Sequence, residues 1–191
     1  MCVEEYDQDY RQKLLNQIEE QYGKLVYTYT CHLKEASILK NKLNKFNCAK
    51  IIFSALSTGG AFSTILGKTH LGVLVSSIMS VITSVILLII NTYLKGVDLG
   101  GDANNHISTS NELWKIREEY ISLLTEFEIL SSKEIVKKRD DLMCKTAIVY
   151  SFQLQTSKKA YKLAKKALKN DEEQFFTQDE INAMLPRSLR K

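Results

Sequence analysis

The sequence predicts an all-α integral membrane protein: a two-transmembrane helical hairpin carried on long cytoplasmic, amphipathic, coiled-coil-like helices. Three observations predict it. One Pro and eight Gly in 191 residues favour long helices over a loop-rich β fold. Residues 51–94 hold one Lys and no acid, whereas the other 147 residues hold 47 of the 48 charges. The flanking segments repeat apolar residues at helical spacing. A mean hydropathy of −0.17 and a net charge of +4 therefore average two different materials.

Residues 71–94, LGVLVSSIMSVITSVILLIINTYL, carry no charge, and fourteen of them are Leu, Ile or Val. A helix of this length is about 36 Å long, enough to cross a hydrocarbon core of about 30 Å. At about −0.3 to −0.6 kcal/mol for each such residue, insertion is favoured by roughly 4–8 kcal/mol before the Ser, Thr and Asn91 are counted. Residues 51–66, IIFSALSTGGAFSTIL, are a weaker span. Their small residues, Ser57 with Ala61 and Gly60 with Thr64, stand four apart, as closely packed helices in lipid require. The polar turn Gly67-Lys68-Thr69-His70 joins the two. Lys34, Lys40, Lys42, Lys45 and Lys50 precede the hairpin and Lys95 follows it, against Lys68 alone in the turn, which places both termini in the cytoplasm.

Residues 1–50 form an N-terminal cytoplasmic amphipathic helix beginning near Glu4. Its stripe runs Leu15, Ile18, Tyr22, Leu25, Tyr29, His32, Ala36, Leu39, Leu43, Phe46 in alternating steps of three and four, with Gly23 as a local weakness. So long a stripe calls for a helical partner, in the same chain or in another copy. Residues 95–170 form a cytoplasmic helical region. Its start, GVDLGGDANNH over 96–106, reads as a loop, and Ser110 as the cap of the helix after it. That helix carries the stripe Leu113, Ile116, Tyr120, Leu123, Phe127, Leu130, which should pack on the first. A third helix over 133–170 would turn Ile135, Leu142, Val149, Phe152, Leu163 and Ala167 inward. Its end bears Lys158, Lys159, Lys162, Lys165, Lys166 and Lys169, which serve either as a solvated face or as a surface for anionic lipid or another acidic partner. The tail, residues 171–191, is a short docking helix or stays unordered.

No catalytic constellation stands out. His32, His70 and His106 fall in different segments, where packing, surface and cap or turn roles respectively account for them. No HExxH, GxSxG or P-loop occurs, and the adjacent acid pairs Glu118-Glu119 and Asp140-Asp141 diverge on a helix. Cys2, Cys31, Cys48 and Cys144 form no CxxC pair and lie near no His cluster, so neither a zinc site nor a disulfide framework is expected. The N-terminal MCVEEYDQDYRQ lacks the basic flank and apolar run of a cleaved signal. The reading is of a non-enzyme without cofactor or metal, with nucleic acid an improbable partner. Within the strong span, Ser77, Ser80, Ser84 and Asn91 share one stripe. They are hydrogen-bonding contacts between helices or the lining of a pore in an oligomer.

A long N-terminal helix, a compact two-span hairpin and amphipathic helices after it, with the stretch HISTSNELWKIREEYISLL from His106, resemble the SLATT domain, the SMODS and SLOG-associating two-transmembrane effector domain. The resemblance covers roughly residues 15–170. It implies a bacterial anti-phage or conflict effector in the inner membrane. Such an effector would homo-oligomerise and open a pore or disrupt the lipid when triggered by a nucleotide second-messenger system or an adjacent sensor protein. The alternative is a membrane-anchored structural or adaptor protein that recruits a partner through its helices.

Overall fold

The computed structural model describes residues 2–66, 69–186, 188 and 190. The side chains of 2–6, 63, 64 and 66 lie outside the description. So do Gly67 and Lys68 of the expected turn, the Cys2 thiol and the Thr64 contact. The described residues form helices and no strand: α1 (Cys2–Leu66), α2 (His70–Gly96), α3 (Leu99–Thr125), α4 (Ser132–Phe152), α5 (Lys158–Lys169) and α6 (Gln178–Met184). They divide into two compact units, 1–35 with 106–191, and 36–105.

The first unit is built on the two apolar stripes. Leu14, Ile18 and Leu25 of α1 bury against Leu113, Ile116, Tyr120 and Leu123 of α3, with Phe127 beyond it and Ile135 and Leu142 of α4 closing the core. Fully burying such a side chain stabilises by about 1.5–3 kcal/mol. Leu15 and Tyr22 are half-buried at its edge. Where α3 ends, Arg11 reaches across from α1. Its guanidinium donates to the Phe127 carbonyl at 2.8 Å and the Leu130 carbonyl at 2.9 Å and lies 5.2 Å from the Phe127 ring centroid. A cation there answers carbonyls that the helix end leaves without partners. Chain direction then reverses into α4 through a capping box, in which Ser131 and Glu134 satisfy each other's backbone N–H.

Gly23 sits exposed within α1, and a Cβ there would meet nothing within 4 Å. Gly23→Ala is therefore expected to raise stability by about 0.5–1 kcal/mol, read as a higher midpoint in thermal unfolding followed by circular dichroism.

Three expectations are corrected. Residues 96–106 are not a loop, because Asp98 caps α3. Its carboxylate accepts from the Gly101 N–H at 2.8 Å and its carbonyl from the Asp102 N–H at 2.9 Å. Ser110 accordingly is no cap. It lies fully buried inside α3, its hydroxyl donating to the Ile107 carbonyl at 2.7 Å. The third helix is two, α4 and α5, separated by the extended residues 153–157. That break exposes Phe152 to 85% and leaves Leu163 on the outer side, so neither joins the inner face; Ile135, Leu142 and Ala167 do.

α5 packs through Ala160, Ala164 and Ala167, all buried, and leaves its six Lys exposed. Two neighbours on α1 hold its ends. The buried Glu35 carboxylate accepts from the N–H of the N-cap Ser157 at 2.7 Å, and Lys34 pairs with Glu173 beyond the C-terminus. Tyr27 of α1 and Tyr161 of α5 add a tilted ring contact at 5.2 Å between centroids.

Candidate functional site

The second unit contains the apolar hairpin. The last turns of α1 lie against α2, and Gly60 marks their closest approach. A Cβ on Gly60 would stand 3.2 Å from both the Ser76 carbonyl oxygen and the Ser80 Cβ. A residue without a side chain lets two backbones meet this closely without a shift. The hydroxyls around that point are engaged inside the hairpin. Ser80 Oγ donates to the Ser57 carbonyl at 3.1 Å, and the Ser57 and Ser84 hydroxyls lie 2.8 Å apart. Ser77 donates to the Val73 carbonyl at 2.7 Å, and buried Thr83 to the Met79 carbonyl at 2.9 Å. Each such bond satisfies a hydroxyl donor within the helix pair. Asn91 is half-buried farther along the same stripe.

The outer faces of both helices are apolar and open. Ile51, Phe62 and Ile65 of α1 are 62–78% exposed, as are Leu71, Val81, Leu88 and Ile89 of α2. A shallow apolar groove of about 290 Å³ runs along Ser80, Val81, Ser84, Val85 and Leu88. One helical stretch, starting at His70, is long and apolar enough to cross a membrane. Near the hairpin's base Lys42 donates to the Tyr93 hydroxyl at 2.7 Å and lies over that ring, which also meets Phe46.

A second polar cluster, in the first unit, was invisible to sequence reasoning. His32 of α1 and His106 of α3 are 1% and 3% exposed, and their Nδ1 atoms are 2.8 Å apart. His32 Nε2 lies 2.8 Å from Gln153 Oε1. One ring must donate and the other accept between the two Nδ1 atoms, so both rings cannot carry a proton there. Burial is the main cause that pulls the His32 pKa below its ordinary value. The second His ring acts in the same direction, while the Gln153 bond and Glu35 oppose it. The adjoining Cys31 thiol is buried and pushed up to about 11, again chiefly by burial. An open cleft of about 500 Å³, lined by Thr28, His32, Tyr150, Gln153, Leu154, Gln155 and Thr156, borders the cluster. His70, by contrast, is exposed at the first residue of α2.

His106 was read as a cap or turn residue, but it lies inside α3 and is buried. Continuing the α3 stripe backward from Leu113 would have found it. Ser110, His106, Ala103 and Leu99 follow in steps of three and four, and all are buried. Among the described residues no group of three His, Cys, Asp or Glu could hold a metal.

Among the described residues the architecture is all-helical, with one helix long and apolar enough to cross a membrane. The chain matches, over residues 14–180, the model of SMODS and SLOG-associating 2TM effector domain family 4, and it belongs to that family. No curated protein and no solved structure matches it. The family is one of effector domains associated with SMODS and SLOG conflict systems, and it is not a known catalytic family. Together with the long apolar helix it points to a membrane location.

Proposed function

We propose that the chain is a two-span membrane effector whose hairpin, residues 51–66 and 71–94, crosses the bilayer with both termini on the cytoplasmic side. The observation that carries this reading is the hairpin's inside-out polarity: hydroxyls face inward and bond across the helix pair, while large apolar side chains face outward. A soluble protein would bury such a surface. Copies associate in the membrane, and an upstream nucleotide-signal component triggers a pore or a lesion. The stripes Leu15, Ile18, Tyr22, Leu25 and Leu113, Ile116, Tyr120, Leu123, Phe127 hold the cytoplasmic helices together. The exposed Lys158, Lys159, Lys162, Lys165, Lys166 and Lys169 meet anionic headgroups, at about 1 kcal/mol each.

Carboxyfluorescein-loaded liposomes holding the protein test this. They should stay tight alone and leak when the upstream synthetase and its nucleotide product are supplied. Liposomes that bind the protein yet stay tight under both conditions would falsify the pore.

A second reading, a hairpin that only anchors an adaptor, is favoured by the bonds that Ser80 and Ser84 make within one hairpin. Ser80→Ala with Ser84→Ala separates the two, because Ala removes the hydroxyls without adding bulk. A pore lined by them loses conductance at least severalfold. An anchor keeps membrane recovery and partner recruitment unchanged.

A further inference from the structure

The residues 153–157 that join α4 to α5 have little apolar anchorage. Leu154 is 39% exposed, and Gln155 and Ser157 are exposed. Two polar contacts to α1 hold them: Gln153 to His32, and the Ser157 N–H to Glu35 one helical turn further on. His32 is in turn oriented by His106 of α3. We propose that the His32–His106–Gln153 chain is a proton-operated latch: at neutral pH it pins the connector to α1 and α3, and acidification releases the connector while the buried Ala160 and Ala164 keep α5 docked.

The geometry supplies the mechanism. With both rings neutral, one ring N–H lies between the two Nδ1 atoms and the remaining His32 nitrogen bonds Gln153. The chain is then fully satisfied without charge. One added proton is accommodated, since an imidazolium His32 donates from both nitrogens and Glu35 supplies a compensating carboxylate. A second proton is not accommodated. Two Nδ1–H groups would face each other across 2.8 Å, and two like charges would share a buried site. The groups that bear on the pair are Glu35 on α1 and Tyr150 of α4, which lines the same cleft as His32. The connector adds only the neutral Gln153, and α5 presents Ser157 to Glu35. Glu35 is the carboxylate that acts on His32, and it already accepts a bond.

The sign follows from His32. Its folded pKa is depressed by burial, so the released form binds protons more readily. The latch's contribution is fully present above the ordinary His value of about 6.5 and is lost as pH falls below it. The inference does not depend on the pore reading.

Amide hydrogen exchange on the full chain in detergent micelles tests it at about pH 7.5 and about pH 5.5, with intrinsic rates corrected and α2 as reference. Protection over residues 154–157 should fall about tenfold in the wild type at the lower pH, and His70→Gln should behave the same way. The double variant His32→Gln with His106→Gln, which bonds but does not titrate, should remove the pH dependence, whereas His106→Gln alone should only reduce it, because burial still depresses His32. Equal wild-type protection at both values overturns the latch. So does a double variant that stays as pH-sensitive as wild type, because the responsive group would then lie outside the histidine pair. If the double variant fails to fold, the His32 ring resonance of the labelled wild type decides: it should titrate below the ordinary imidazole value of about 6.5, and a His32 that titrates at or above that value overturns the proposal.

Discussion

Gly60→Leu is expected to force the hairpin apart. The Cβ alone would stand 3.2 Å from the Ser76 carbonyl oxygen and from Ser80 Cβ. The Ser76 atom is backbone and cannot swing aside, so a branched side chain has to push α1 off α2. Overpacking of this kind typically costs about 1–3 kcal/mol. The separation also breaks the Ser80–Ser57 bond and the Ser57–Ser84 pair, each worth up to about 1–2 kcal/mol between helices in lipid. Proximity gives a direct readout. The hydroxyls of Ser57 and Ser84 lie 2.8 Å apart, so Ser57→Cys with Ser84→Cys, in a background lacking the native Cys, should cross-link within the chain on mild oxidation. Adding Gly60→Leu should cut the cross-linked fraction at least about tenfold, the equivalent of 1.4 kcal/mol. Gly60→Ala, whose methyl needs a shift of only a few tenths of an ångström, should lose much less. Equal cross-linking in the Leu and Gly proteins would show that the helices do not meet at Gly60.

How much of this was legible beforehand depends on the range of the interaction. The uncharged run 71–94 fell within α2, because its signal is local and continuous. The buried residues of α1 and α3 also follow helical spacing, although on α1 Leu14 and not Leu15 is the buried member. What failed was reading composition in place of position. Three Gly and two Asp over 96–106 favour a loop by composition, yet Gly96 ends α2, Asp98 caps α3, and Gly100 and Gly101 sit in the first turn behind it, where a Cβ on Gly100 would lie 3.7 Å from a Leu43 methyl. The stripe from Leu99 through Ser110 carried the right answer and was outvoted by the Gly count. The break at 153–157 contains no Gly or Pro; only Ser157 ahead of the lysines signals it, as the N-cap of α5. The His32–His106 contact spans 74 residues, and no local pattern pairs two histidines so far apart.

The register of α1 separates the sequence reading from the structure most sharply, and Ile18→Ala gives the scale for testing it. Ile18 has no exposed surface and sits among Leu14, Leu25 and the α3 stripe. Removing its outer carbons leaves a cavity at the centre of the core, at a cost of about 2–5 kcal/mol. For a unit of this size that lowers the thermal midpoint by roughly 8–15 °C, measured by Trp114 fluorescence in detergent. Leu14 and Leu15 then provide the comparison. Heptad spacing assigns the inner position to Leu15, whereas Leu14 is 3% exposed and Leu15 only half-buried. A helix needs an apolar arc wider than one residue to meet both α3 and α4, so the true inner face takes in Leu14 as well. Leu14→Ala should therefore cost more than Leu15→Ala, by about 1 kcal/mol or more, since the cavity term applies in full only where the surroundings enclose the site. The reverse order would mean that α1 is rotated by one position, with the coiled-coil register and not the three-helix core setting which face is buried.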